Sequence, residues 1–158
     1  MKEYSLVILK PDCLKRNLKN EIIKKILELW VEIIANKKLI AREEDLTIHY
    51  GDIGGLKEKL NPLKFSQIIE FMKSWEIEIF VLKWNLWMIS SIRKKIWSTE
   101  PFSANPWTIR GDYSYDSYEL SELENRSLHN LIHASANKEE ALKEIKLWFP
   151  RLNYNFLK

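Results

Sequence analysis

Two residues toward the end of the chain, His133 and Glu144, have the types and spacing to work as a pair. An imidazole held by a carboxylate can act as a base or as a nucleophile. Glu144 lies between Ala141 and Trp148 in a stretch of helical apolar spacing, so it faces inward. A buried carboxylate needs a partner. A helix folding back on the preceding segment can carry Glu144 to a ring nitrogen of His133; a salt bridge to Lys146 or Lys10 is the plainer alternative. His129 and His133 stand four apart, a helical metal-ligand spacing, but their segment reads as β and no H-E-x-x-H string is present. His49 and His129 carry no distinguishing context.

Three cations are the other candidates. Lys10 stands where an apolar run meets Pro11, and strand ends are common ligand sites. Arg93 flanks the apolar stripe of a helix, where an arginine can equally snorkel over apolar surface. Arg110, in Thr108-Ile-Arg110-Gly-Asp112, can equally sit in a turn paired with Asp112 at the surface. Together the three supply the charge that a triphosphate needs. Backbone cradles are excluded: with Gly51, Gly54, Gly55 and Gly111 as the only glycines, no phosphate-binding glycine loop can be drawn. Side chains must do the holding. Cys13 has no visible base and reads as a small packed residue.

The elements that would position these groups follow from periodicity. Tyr4 to Leu9 reads as a buried strand ending at Lys10. Ile22, Ile23, Ile26, Leu27 and Trp30 have helical spacing, Ile33 to Ala41 reads as a strand, and Phe65, Ile68, Ile69 and Met72 form a helical stripe. Ile77 to Trp84 is a third strand, and Ile89, Ile92 and Ile96 mark another helix. Ser98 to Asn125 shows no sustained period and reads as a long loop, of the kind that is either functional or disordered. Leu128 to Ser135 reads as a fourth strand, and Asn137 with Glu140 caps a final helix carrying Ala141, Leu142, Ile145 and Trp148. This order predicts an α/β (α+β) fold, a ferredoxin-like four-stranded antiparallel sheet covered by helices.

Length and composition set the frame. The 158 residues, 46% hydrophobic and 30% charged, predict a single globular domain over residues 1–158. A lone cysteine points to a reducing, cytoplasmic setting. The N-terminus reads as neither signal peptide nor membrane span, and no stretch is long enough to cross a bilayer. A net charge of +3 suits nucleic acid or a smaller polyanion such as a nucleotide without choosing between them.

Four segments resemble nucleoside diphosphate kinases in order and spacing: Leu6-Val-Ile-Leu-Lys10-Pro-Asp12, Arg93 with Thr99 leading to Thr108-Ile-Arg110-Gly-Asp112, Asn130-Leu-Ile-His133-Ala-Ser135, and Glu144-Ile-Lys-Leu-Trp-Phe149. The resemblance runs from about Tyr4 to Phe149. It implies ping-pong transfer of the γ-phosphoryl group from a nucleoside triphosphate, typically ATP, to a nucleoside diphosphate through a phosphohistidine at His133. It implies that Glu144 holds the imidazole, that Lys10 and Tyr50 lie by the phosphate, and that Arg93, Thr99 and Arg110 hold the β- and γ-phosphates. Asn130 matches the amide that contacts the sugar, and Ser135 the hydroxyl beside the carboxylate. The long loop would then border the nucleotide site. Mg²⁺ would be bound mainly through the nucleotide phosphates, with no direct protein ligand, and the protein would be a homo-oligomer (hexamer, tetramer or dimer).

Some features depart from the family's pattern. The segment between Asp112 and Asn130 is longer than in short-loop members and resembles a subset with an insertion here. The aromatic that stacks on the base falls at Lys64, with Phe65 beside it, and Trp75-Glu76 stands where Gly-Pro is common. Two other readings compete. One is an inactive or regulatory member of the same fold, although every catalytic side chain is present. The other is a nucleic-acid-binding ferredoxin-like module, suggested by the charge and seven tryptophans, although its aromatic strings are missing. The kinase reading expects no specific nucleic-acid partner and no membrane.

Overall fold

A computed structural model describes residues 2–152. Lys2–Leu9 forms strand β1, and the chain stops extending at Pro11, which opens the short helix α1 (Pro11–Lys15) as its first residue. Helix α2 (Lys19–Leu27) leads to strand β2 (Glu32–Leu39). Helix α3 (Glu43–Leu46), a π-helical turn (Thr47–Ile53), helix α4 (Leu56–Lys59) and helix α5 (Pro62–Lys73) follow. Strand β3 (Ile77–Asn85) then runs into helix α6 (Met88–Ile96).

The sheet order is β2-β3-β1-β4, with β4 being Ile132–Ala134, and every pairing is antiparallel. This is the expected four-stranded antiparallel sheet. The last helix, α9 (Lys138–Trp148), is capped by Asn137, whose side chain accepts the Glu140 N–H.

Register decides where the candidate residues face. Side chains alternate along a strand, so Val7 and Leu9 enter the apolar cluster with Ile22, Ile26 and Ile92. Leu6 and Ile8 enter the opposite cluster with Ile69, Met72, Ile145 and Trp148. Ile8 pairs with His133, and Val7 with Ala134. His133 therefore faces the side of the sheet on which α9 packs, while Ile132 and Ala134 join the other core.

Several expected boundaries change. The fourth strand does not span Leu128 to Ser135: Leu131 has φ 68°, which breaks extension and leaves three residues of strand. β2 ends at Leu39, short of Ala41. The segment from Ser98 to Asn125 is not a structureless loop. It holds a 3₁₀ turn at Pro101–Ser103 and helices α7 (Ile109–Tyr113) and α8 (Tyr118–Leu123), all too short to show a period.

Trp30 lies past the end of α2, at φ 60° and 78% exposed, instead of on its inner face. Six of the seven tryptophans are exposed, and of these only Trp84 sits on a strand. The aromatic sheet face of a nucleic-acid module is not built. No helix among the described residues is long and apolar enough to cross a membrane.

Candidate active site

Glu144 is the buried centre of the site. One carboxylate oxygen, Oε1, lies 2.6 Å from His133 Nε2. The other, Oε2, accepts the Ser135 hydroxyl at 2.5 Å. Ser135 in turn accepts the Leu6 N–H at 2.9 Å, which ties the carboxylate to the central strand. With both oxygens accepting, the proton on the His133 ring is at Nε2, and Nδ1 keeps its lone pair. The alternative salt bridges of Glu144 to Lys146 or Lys10 are not formed.

His49 belongs to this centre, and apart from its neighbour Tyr50 nothing in its sequence context points to it. It sits in the π-helical turn, fully enclosed, with its ring 4.6 Å from that of His133. Trp148 Nε1–H donates to His49 Nδ1 at 3.2 Å, so this ring is neutral with its proton at Nε2. Its edge walls off the side of the His133–Glu144 pair. Tyr50 is also buried, next to His49 and beneath Lys10, whose Nζ lies 5.9 Å from the ring centre. Burial raises the Tyr50 hydroxyl above its ordinary range.

The cations converge on the exposed side of His133. Lys10 Nζ donates to Asn130 Oδ1 at 2.7 Å, and Asn130 Nδ2 donates to the Thr99 carbonyl at 2.9 Å. Arg110 does not pair with Asp112. Its guanidinium donates to the carbonyls of Asn130, Ser98 and Ile132 at 2.9, 2.9 and 2.6 Å. Asp112 instead takes Lys25 at 2.5 Å. Arg93 reaches the Ala134 carbonyl at 3.5 Å.

The Arg110-Gly111 step needs its glycine. A Cβ on Gly111 would fall 2.1 Å from the Asn105 carbonyl oxygen, so α7 packs this closely only without a side chain there.

Lys10, His49, Tyr50, Arg93, Arg110, Asn130 and His133 line one cleft of about 890 Å³, which also contains Lys64, Thr99 and the cleft-facing residues of α8. Phe65 is not in it. That ring turns into the core beside Gly51, because α5 directs Lys64 and Phe65 to different faces. His129 is not brought to His133 as a metal pair; it stacks on Phe71 at 4.2 Å. Cys13 is packed in the core, its thiol pushed up to about 12 by burial.

Electrostatics follow from this enclosure. Burial, then the neighbouring Lys10, hold the His133 imidazole below the ordinary histidine range. Burial raises the Glu144 carboxyl. Burial and Arg110 bring Lys10 down to about 7. Burial and then Arg93 bring Arg110 down to about 10. The cleft is a concentrated positive field waiting for an anion.

A family model for nucleoside diphosphate kinase matches residues 3–154. The chain belongs to the nucleoside diphosphate kinase family. Nucleoside diphosphate kinases of Pyrobaculum aerophilum and Methanocaldococcus jannaschii are 34% and 36% identical to it, over 93% and 94% of this chain and 94% of each relative. A solved transition-state mimic of nucleoside-diphosphate kinase from Borrelia burgdorferi with bound vanadate and ADP superposes with a TM-score of 0.88. That likeness holds at 32% identity, covering 98% of this chain and 92% of that one. The P. aerophilum kinase structure gives 0.83 at 32% identity, over 94% and 96%. The ferredoxin-like expectation and the family resemblance therefore both hold for this family member.

The enclosed histidines make a pH prediction. Burial keeps His49 down to about 3, and His133 is also depressed, whereas unfolded imidazoles titrate near ~6.5. Below that pH the unfolded chain takes up protons that the folded chain refuses, so stability falls with pH from about 6.5 toward about 3. Thermal melts between about pH 7.5 and pH 5 should show the fall, and His49→Gln should show a shallower one. Equal slopes in the two proteins would contradict the buried, neutral His49.

Proposed function

We infer that this protein is a nucleoside diphosphate kinase that carries the γ-phosphoryl group on His133 between a donor triphosphate and an acceptor diphosphate. The observation that carries the reading is the His133–Glu144 pair opening, on its unbonded Nδ1 side, into a cleft with three cations. The Nδ1 lone pair attacks the γ-phosphorus, and the bond to the β-phosphate oxygen breaks. The diphosphate leaves with that oxygen's electrons. The ring gains positive character, which Glu144 offsets through the Nε2–H. An acceptor diphosphate then enters, and one of its terminal oxygens takes the phosphoryl group from Nδ1, returning the neutral imidazole.

Phosphoryl transfer asks the protein mainly for positioning and charge. Arg93, Arg110 and Lys10 offset the charge spread over the transferring oxygens, with Thr99 and Tyr50 bordering them. Asn130, engaged at both ends in the free protein, fixes Lys10 and reaches toward the sugar. Ser135 fixes the carboxylate.

A divalent ion, Mg²⁺ in this reading, is held through the nucleotide phosphates. The donor set fits that arrangement, since the cleft offers cations and imidazole where a hard ion wants oxygens. His49, His133 and Glu144 do approach one another within 4.8 Å, but their facing atoms are already used in hydrogen bonds. When bound, the ion supplies charge neutralisation on the phosphates.

The reading also takes residues 1–158 as one catalytic domain in the cytoplasm, assembled as a hexamer, tetramer or dimer. An inactive or regulatory role is disfavoured because the described site retains every group the transfer uses.

Incubation with γ-labelled ATP should place acid-labile phosphate on the protein. His133→Ala should abolish label and transfer while retaining nucleotide binding, and Glu144→Ala should slow labelling by about 10²-fold or more with affinity little changed. Full transfer by His133→Ala contradicts the reading.

Lys10 supplies a second test. It titrates at about 7 in the free cleft, and a polyanion favours its charged form, so nucleotide binding at about pH 8 should take up a proton. Affinity should weaken as pH rises above about 7. Calorimetry in two buffers of different ionisation heat should reveal the uptake, and Lys10→Met should remove it. A buffer-independent heat in the unmodified protein would contradict this role of Lys10.

A further inference from the structure

We propose that Glu122 on α8 and Lys64 on α5 read the nucleobase by hydrogen bonding and favour guanine; this rests on the kinase reading above. The cleft has two ends. The inner end holds Lys10, Arg93, Arg110 and His133, and the outer end is bordered by Asn61 and Lys64 on one wall and by Ser121 and Glu122 on the other. A nucleotide with its terminal phosphate at His133 extends its base to the outer end.

The ring at the position beside Lys64, Phe65, is packed against the core, and Phe71, which borders the cleft, already has one face stacked on His129. Tyr118 borders the cleft from the first turn of α8. Stacking tolerates every base because every base has a π-face. A mouth lined by charged donors and acceptors does not.

Both groups are held on fixed supports. Lys64 sits in the first turn of α5, where its own N–H bonds the Asn61 cap at 2.8 Å. α8 is capped by Ser117, and its Tyr118 N–H donates to Glu100 at 2.9 Å. Just outside it, the nearly buried Asp116 takes Arg126 in two bonds of 2.7 and 2.8 Å. Gln67 on α5 reaches across to Asn125 at 3.0 Å, tying the two walls together.

Lys64 Nζ and Glu122 Oε1 face each other at 3.7 Å, with the Glu122 side chain 69% exposed. An ion pair this exposed adds little stability, so exchanging it for base contacts costs little.

The chemistry of the pair selects its ligand. A carboxylate accepts two parallel N–H bonds. Guanine offers two adjacent donors, N1–H and the 2-amino group, with O6 beside them as an acceptor for the lysine. Hypoxanthine lacks the 2-amino donor, and adenine has no N1–H.

Equilibrium binding of GDP, IDP, ADP and inorganic tripolyphosphate to the full chain, compared with Glu122→Gln and Lys64→Met, tests this. GDP should bind on the order of tenfold more tightly than ADP, with IDP between them. Glu122→Gln should bring GDP down to the level of IDP while leaving tripolyphosphate binding unchanged, and Lys64→Met should weaken GDP and IDP more than ADP. Equal binding of GDP and ADP by the unmodified protein, or a GDP-over-IDP preference that survives Glu122→Gln, overturns the proposal. Failure of the unmodified protein to bind tripolyphosphate and every nucleotide would overturn the kinase reading, and this one with it.

Discussion

A carboxylate shut away from water must be fully hydrogen-bonded, and meeting that demand for Glu144 organises the site. Its two oxygens take the His133 ring and the Ser135 hydroxyl, and Ser135 is anchored to the backbone of β1. Each bond fixes a different element: β4 through the ring, β1 through the hydroxyl, α9 through the glutamate itself. One buried charge thus sets the tautomer of the imidazole and the depth at which α9 seats against the sheet. His49 and Trp148 complete the enclosure without donating to the carboxylate, because the Trp148 N–H is taken by His49 Nδ1.

The opposite face of His133 is built on the reverse principle. Cations are gathered where water is largely excluded, and their cost is met by backbone carbonyls. Arg110 alone draws on three carbonyls of the segments flanking the cleft, so it braces the chain before β4 as well as charging the site. Lys10 and Asn130 brace each other in the same way. A preorganised positive field of this kind favours developing negative charge without needing to rearrange during reaction. It also explains how so glycine-poor a chain can hold phosphates, since the donors come from side chains set by helices and strand ends.

Much of this was legible in the sequence because it depends on period and local chemistry. The continuous apolar run of Tyr4 to Leu9, the inward position of Glu144 and the Asn137 cap each follow from neighbours in the chain, and the structure retains them. The parts that were not legible depend on distant contacts. His49 acquires its meaning from Trp148 and His133, far along the chain. The fourth strand looked longer than it is because Leu131 turns at positive φ, where Asp12 takes its N–H. The helices α7 and α8 are single turns or little more, set by caps and by Asp116 rather than by an apolar stripe. Phe65 falls on the apolar stripe of α5, so the period already set it apart from Lys64, which lines the cleft.

The account stands on an imidazole whose Nε2 is committed to Glu144 and whose Nδ1 is free. Nitrogen and phosphorus NMR of the protein after brief incubation with ATP and Mg²⁺ would show which ring nitrogen carries phosphate. Phosphate on Nδ1 of His133 is the predicted result. Phosphate on Nε2, or on a residue other than His133, would contradict it.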